Sequence, residues 1–318
     1  MRLILAPMEG VVDYTMRDLL TRIGGYDRCV TEFVRVSREK LPPRVFYRAC
    51  PELLTDGCTP VGVPIYVQLL GGCPSSMARN AQVAARLGAR GIDLNFGCPS
   101  KVVNHHDGGS ALLREPQRVQ EIVQAVRDAI DPCIPVTAKI RLGFHDSSLF
   151  AAIALGIQAA GATELCVHAC TKQHGYKPPA YWAEIGKVKP YLTLPVIANG
   201  EIWSADNALQ AQAESACVDL MLGRGALSYP DLARSIKARY HGETYTPLEW
   251  ADVLPLVWHY AAEFEQRAPR YAAGFIKQWF TYLRRQYPQA EGIFQHIKSM
   301  KQPAEIRAYI MRSSLPPS

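Results

Sequence analysis

Several kinds of feature are missing from this 318-residue chain, and each absence narrows what it can be. No apolar run approaches the roughly 18 residues of a membrane-spanning helix. The apolar stretch at Met1–Pro7 is too short for the core of a secretory signal. The nine cysteines include no CxxC pair. Cys166 and Cys170 are separated by three residues, but no second pair sits where a zinc site would need it. An odd, scattered set of cysteines points to a reduced, cytoplasmic protein in which most of them act as small core hydrophobes. Internal repeats and low-complexity tracts are absent too. With 48% hydrophobic and 20% charged residues, disorder is not the default.

What is present is a regular alternation. Short apolar runs of the buried-strand type occur at Leu3–Ala6, Cys29–Val34, Pro64–Leu69, Gly91–Asn95, Val136–Ile140, Glu164–His168, Val196–Ala198 and Asp219–Leu222. Helix-like segments lie between them. The clearest has Val119, Ile122, Val123, Val126 and Ile130 on one face, with Pro116 suited to its first turn. Ala151–Gly161 and Ala205–Ala213 are similar. The first strand runs into Pro7-Met8-Glu9-Gly10 and not into a Gly-x-Gly-x-x-Gly phosphate loop, which disfavours a doubly wound sheet. Eight alternations instead predict an α/β fold of the (β/α)8 TIM-barrel type over residues 1–242. The proline-containing stretch from Arg38 to Gly62 reads as a loop-rich insertion after the second strand.

Beyond Tyr240 the strand runs stop. Helical spacing takes over at Trp250, Leu254, Val257 and Trp258, and again at Phe275, Trp279, Tyr282 and Leu283. Pro247, Pro269, Pro288 and Pro303 punctuate the region, so residues 243–318 are expected to form a small domain of three or four helices. Most of the basicity sits there. The net charge is only +6, yet residues 267–312 carry nine Lys or Arg side chains against Glu291 and Glu305. That local excess of seven leaves the remainder near neutrality.

In a barrel of this kind, function lies on the loops after the C-terminal ends of the strands. The fourth strand runs into Asn95-Phe96-Gly97-Cys98-Pro99, a thiol held by stiff backbone at the mouth, able to serve as nucleophile or as proton donor. Alternation puts Lys139 and Arg141 on the same side of the fifth strand, costly for a barrel interior unless they meet a polar or anionic ligand. His168 ends the sixth strand. Asn199-Gly200-Glu201 and Gly223-Arg224-Gly225 follow the seventh and eighth, the usual place for a phosphate. Gln68 and Pro7-Met8-Glu9 complete the ring. Together these predict a phosphate-bearing ligand without identifying it as a flavin. The doublet His105-His106 lacks companions at ligand spacing, so no metal is expected.

In order along the chain, these motifs closely resemble the tRNA-dihydrouridine synthases, most of all the bacterial C-type branch associated with uridine 16 of the D-loop. The Asn-x-Gly-Cys-Pro segment carries the most specific part of the resemblance. It implies an FMN-dependent reduction of a uracil C5=C6 bond, with NADPH reducing the flavin, hydride passing from flavin N5 to C6, and Cys98 protonating C5. By the same resemblance Pro7, Met8, Glu9, Gln68 and Lys139 would hold the isoalloxazine ring. Asn199, Gly200, Glu201, Gly223 and Arg224 would hold the ribityl phosphate, and His168 would border both cofactor and base. Asn95 and Arg141 would orient the uracil, with Arg35 and Tyr176 at the rim.

The C-terminal helices would then hold tRNA through Lys277, Trp279, Arg284 and Arg285, and nothing in the sequence demands a second protein chain. Two rival readings stay open on the sequence. An FMN barrel for small molecules, of the dihydroorotate-dehydrogenase kind, explains Cys98 but leaves the basic appendage without purpose. A non-catalytic RNA-binding barrel would be colourless and indifferent to Cys98.

Overall fold

The computed structural model describes residues 1–37 and 39–313. Arg38, where the expected insertion begins, and residues 314–318 lie outside the described residues. Nine parallel strands form one sheet: β1 (Leu3–Leu5), β2 (Arg28–Val30), β3 (Val34–Arg35), β4 (Ile65–Leu70), β5 (Ile92–Asn95), β6 (Val136–Arg141), β7 (Glu164–His168), β8 (Val196–Asn199) and β9 (Asp219–Leu222). β1 pairs with β9 on one side and β2 on the other, and β2 pairs with β4, so the sheet closes into a TIM barrel.

One expected strand is split. Val30 pairs with Tyr66, but Val34 pairs with Leu69, so four steps on one chain match three on the other. The surplus residue makes a bulge-like break. Thr31 covers it, its N–H donating to Tyr66 O and its hydroxyl accepting from Gln68 N, both at 3.0 Å.

Alternation along the strands sorts the side chains. Leu3, Leu5, Val67 and Leu165 join the large core between sheet and helices, whereas Ile4, Val30, Cys166, Ile197 and Met221 form a separate small cluster with Tyr66. That cluster fills the barrel's interior. Beneath it, at the N-terminal ends of the strands, Glu164 accepts from Arg2 and Arg28 at 2.5 Å each, and Asp219 accepts from Arg2 at 2.6 Å. The Arg28 guanidinium also lies 4.4 Å from the Tyr66 ring centre. The floor of the barrel is thus a closed ion network.

The outer helices are α1 (Tyr14–Ile23), α2 (Pro43–Ala49), α3 (Pro74–Arg86), α4 (Lys101–His105), α5 (Pro116–Ala129), α6 (Phe150–Ala159), α7 (Trp182–Val188), α8 (Ala205–Ser215), α9 (Arg224–Ser228) and α10 (Leu232–His241). The insertion after the second strand is more ordered than its prolines suggested. Pro43 opens α2 and Pro51 opens a 3-10 turn, positions where a missing N–H costs nothing. The turn is fixed by a buried ion pair, Arg17 to Glu52, with bonds of 2.9 and 2.8 Å.

Four C-terminal helices follow: α11 (Trp250–Arg267), α12 (Pro269–Leu283), α13 (Pro288–Ile297) and α14 (Pro303–Arg312). Three of them begin on a proline, as the spacing of that residue predicts. They share one apolar core with the barrel. Asp231, at the start of α10, anchors the link between the two by accepting from Tyr245 Oη at 2.7 Å and Leu248 N at 2.8 Å. At the far end Arg267 pairs with Asp13, the N-cap of α1, and lies 4.3 Å from the Tyr14 ring centre. Among the described residues no helix is long and apolar enough to cross a membrane.

Candidate active site

A cavity of about 370 Å³ opens at the C-terminal end of the strands. That is within the range of small-molecule and cofactor sites. Strand alternation brings Gln68, Asn95, Lys139, Arg141, His168 and Asn199 into its wall. The loops add Pro7, Met8, Glu9, Cys98 and Tyr176, and the ends of β8 and β9 add Gly200, Glu201, Gly223 and Arg224. The sequence reading therefore converges on one place. Arg35, Lys277, Trp279, Arg284 and Arg285 are not among the lining residues.

A chain of hydrogen bonds fixes the thiol's loop from inside the barrel. Buried Asp93 accepts from Thr137 Oγ1 at 2.5 Å and from Gln68 Nε2 at 2.7 Å. Gln68 Oε1 in turn accepts from Asn95 Nδ2 at 2.8 Å. Asn95 Oδ1 then accepts from Gly97 N and Cys98 N, both at 2.9 Å. Arg141 crosses to the same loop, donating through Nε to Gly97 O at 2.8 Å. Its Nη1 donates to Thr171 O and Gly175 O at 3.2 and 2.8 Å, holding the loop that carries Tyr176. Nothing in the sequence had marked Asp93 beyond its place in the fourth strand.

Arg224 keeps a carboxylate partner at this end, but Lys139 and His168 do not. Lys139 Nζ donates to Asn199 Oδ1 at 2.9 Å, a neutral amide. Burial pushes the Lys139 ammonium below its ordinary pKa. The Nε2 atom of His168 is buried without a hydrogen-bond partner. Burial, followed by the cations Arg141, Lys139 and Arg224, holds that imidazole well below its usual pKa and so neutral. Burial also pushes the Cys98 thiol up, which keeps it protonated and suits a proton donor better than a nucleophile. Glu9 rises to about 7, first from burial and then from neighbouring Glu32.

The glycine-rich corner of this cavity has the close backbone approach that a phosphate-bearing ligand would need. Gly200 has φ +114 and a Cβ there would stand 3.1 Å from His168 Cδ2, so only glycine lets the backbone curve past the ring. At Gly225 a Cβ would come 2.1 Å from Ile202 O, which forces glycine where α9 packs against the β8 loop. An orphaned imidazole nitrogen and a buried lysine on a neutral amide both call for a polar or anionic ligand.

Arg224 pairs with Glu201 and lies 5.1 and 5.2 Å from the ring centres of Tyr176 and Trp203. Trp203 Nε1 donates to Glu201 Oε2 at 2.9 Å, and Arg285 sits 4.1 Å over the Trp203 ring. Tyr282 of α12 lines the cavity as well. The C-terminal helices thus reach the rim through Arg285, already singled out in the sequence, and Tyr282, which showed there only as part of a helical spacing.

The tRNA-contact set divides. Trp279 is a correction: it is 2% exposed and its indole N–H donates to Leu227 O at 3.1 Å, which leaves no face for a nucleotide. It belongs to the apolar stripe Ile276, Trp279, Phe280 and Leu283 that seats α12 on the barrel. Lys277 Nζ donates to Met300 O at 2.9 Å, bracing the turn before α14. Arg284 pairs with Glu291 at 3.4 Å and lies over Phe294. Arg35 is exposed on β3, and Tyr176 is 51% exposed.

Known proteins resemble this chain over almost its whole length. The family model described as dihydrouridine synthase matches residues 4–313. The tRNA-dihydrouridine(16) synthase of Shewanella oneidensis is 52% identical over 307 residues, 96% of each chain. The protein of the same name from Vibrio parahaemolyticus is 47% identical over 98% of this chain and 96% of its own. Among solved structures, an old yellow enzyme homologue from Zymomonas mobilis is similar with TM-score 0.53 and 13% identity, over 77% of this chain and 90% of its own. Histamine dehydrogenase from Rhizobium sp. 4-9 matches with TM-score 0.57 and 13% identity, over 81% of this chain and 48% of its own. Those two likenesses are of fold alone. With a family model spanning nearly all of it and relatives near half identity end to end, the chain belongs to the dihydrouridine synthase family.

Proposed function

We propose that this protein reduces a D-loop uridine of tRNA, at position 16, to 5,6-dihydrouridine, with residues 1–242 holding FMN and residues 243–318 docking the RNA. The observation that carries the reading is the meeting of Cys98, Lys139 and His168 on one cavity in a chain 52% identical to a tRNA-dihydrouridine(16) synthase.

Bound FMN, reloaded by NADPH, would supply the hydride for uracil C6, chemistry that no side chain offers. Lys139, Gln68 and Pro7–Glu9 would hold its ring, and Arg224 with the Gly200 and Gly223 turns its phosphate. Hydride addition pushes electron density from the C5=C6 bond toward C5 and the C4 carbonyl. The Sγ–H proton of Cys98 goes to C5, leaving a thiolate that recovers a proton from solvent. Raised by burial, the thiol is a stored proton at neutral pH. Asn95 and Arg141 fix the loop that aims it. The target uridine must leave its stack to enter the mouth. Tyr176, held between Arg141 and Arg224 at 4.9 and 5.1 Å, forms the wall it would pass, with Arg35 on the rim.

The test is Cys98→Ala. It should retain flavin and tRNA binding and lose about 10²- to 10⁴-fold in dihydrouridine formation, measured in unmodified tRNA. In the wild type, activity should fall as pH rises through the thiol's pKa, with that alkaline limb above the ordinary 8.5 or so because burial raises it. Full turnover by Cys98→Ala would refute the donor role. Activity on free uracil with none on tRNA would favour a small-molecule flavin barrel, and a colourless protein would favour a passive RNA binder.

A further inference from the structure

The Cys98 peptide is held on both of its sides, and only one side belongs to the bonds traced above. Its N–H goes to Asn95. Its carbonyl accepts from Ser110 N at 3.1 Å, from Ser110 Oγ at 2.9 Å and from Asn104 Nδ2 at 3.1 Å. Asn104 Oδ1 lies 2.9 Å from the same Ser110 hydroxyl, and Asn104 Nδ2 also reaches Ser100 O at 2.7 Å. The one Ser110 hydroxyl proton is shared between Cys98 O and Asn104 Oδ1, so the carbonyl is held by the Ser110 N–H together with side-chain donors from two residues.

The two residues come from separate elements. Asn104 is on α4, and Ser110 is on the 3-10 turn Gly109–Arg114. That turn is pressed against the cysteine: a Cβ at Gly109 would fall 2.8 Å from Cys98 O and 3.1 Å from Cys98 Cβ, and φ there is +59. Ser110 is fully buried, where a hydroxyl costs free energy unless it is used. The neighbouring Ala111, Leu112 and Leu113 are apolar core, so packing alone would accept alanine at 110.

We infer that Ser110 and Asn104 are positioning residues for the proton donor, fixing the carbonyl that follows the Cys98 Cα while Asn95 fixes the N–H that precedes it, so that the short side chain aims at the substrate. This rests on the proposed role of Cys98. A thiol one carbon from the backbone inherits any error in that peptide. Proton transfer is sensitive to such errors, a misplacement of about 1 Å costing on the order of 100-fold.

The experiment uses the flavin-loaded, full-length protein with unmodified tRNA and separates the two half-reactions. Ser110→Ala and Asn104→Ala should keep their flavin and be reduced by NADPH within about twofold of wild type. Reoxidation of the reduced flavin by tRNA should slow about 10- to 100-fold at saturating tRNA, with KM for tRNA unchanged and a larger solvent deuterium isotope effect. Asn104 is only half-buried, so its variant serves where loss of the buried hydroxyl impairs folding. Reoxidation at wild-type rate in both variants, beside an inactive Cys98→Ala, would overturn the positioning role alone. An equal fall in both half-reactions would also overturn it, as damage to the whole site. An active Cys98→Ala would overturn the donor reading, and the inference with it.

Discussion

Glu164 at the barrel floor takes one arginine on each oxygen, while at the mouth Lys139 meets an amide and His168 Nε2 meets nothing. Both ends bury charge or strongly polar atoms in the same closed sheet, a few residues apart on the same strands. β7 begins at Glu164 and ends at His168. At the floor the carboxylates and guanidiniums pair within the chain, with Arg28 Nε alone left without a partner, which makes the network part of the fold. At the mouth Lys139 has no counter-charge within the chain, which fits the ligand site proposed above. Function and stability are thus written on opposite ends of single strands, as barrel architecture favours.

The largest effect should come from unpairing the floor. Glu164→Ala leaves Arg28, 7% exposed, without its carboxylate, and should cost about 3–5 kcal/mol in denaturant unfolding. Flavin content per folded molecule should stay unchanged. A loss of flavin with little loss of stability would erase the distinction between the two ends.

A smaller effect sharpens the contrast between barrel and appendage. Much of the basic excess is engaged within the protein: Arg267 with Asp13, Arg307 with Glu265 at 3.5 Å, Arg284 with Glu291. Arg285, stacked on Trp203 at the rim, and Arg270, Lys298, Lys301 and Arg312 are exposed, and among the described residues none of them is in an ion pair. Arg285→Ala should weaken tRNA binding and reduce the slope of log affinity against log salt by about 0.7 to 0.9 if one phosphate contact is lost. An unchanged slope would place docking elsewhere.

How much of this was readable beforehand follows from sequence distance. Period-two alternation within one strand was enough to put Lys139 and Arg141 on the cavity side, and strand-end position was enough for Cys98 and His168. The bonds that give those residues their surroundings were not readable. Asp93 meets Thr137 across 44 residues, and Arg267 meets Asp13 across 254. A count of charges could show the basic excess but not its internal pairing.

Trp279 is different, because its signal was available. Ile276, Trp279, Phe280 and Leu283 follow helical core spacing, and an aromatic within that stripe belongs to the interior before it belongs to RNA. The split of the second strand had no such signal, since the extra residue shows only against its partner's register.

The measurement that bears most directly on the two-ended account is the thermal unfolding midpoint of wild type and Lys139→Met, each stripped of flavin and then reloaded with FMN. Removing a buried cation that has no carboxylate partner should leave the stripped protein as stable as wild type or more so. In wild type, saturation at about 100 times Kd adds about 2.7 kcal/mol, and the variant should lose most of that gain at the same FMN concentration. A stripped variant that falls as far as Glu164→Ala, with its FMN-induced rise intact, would contradict the account, because Lys139 would then be structural.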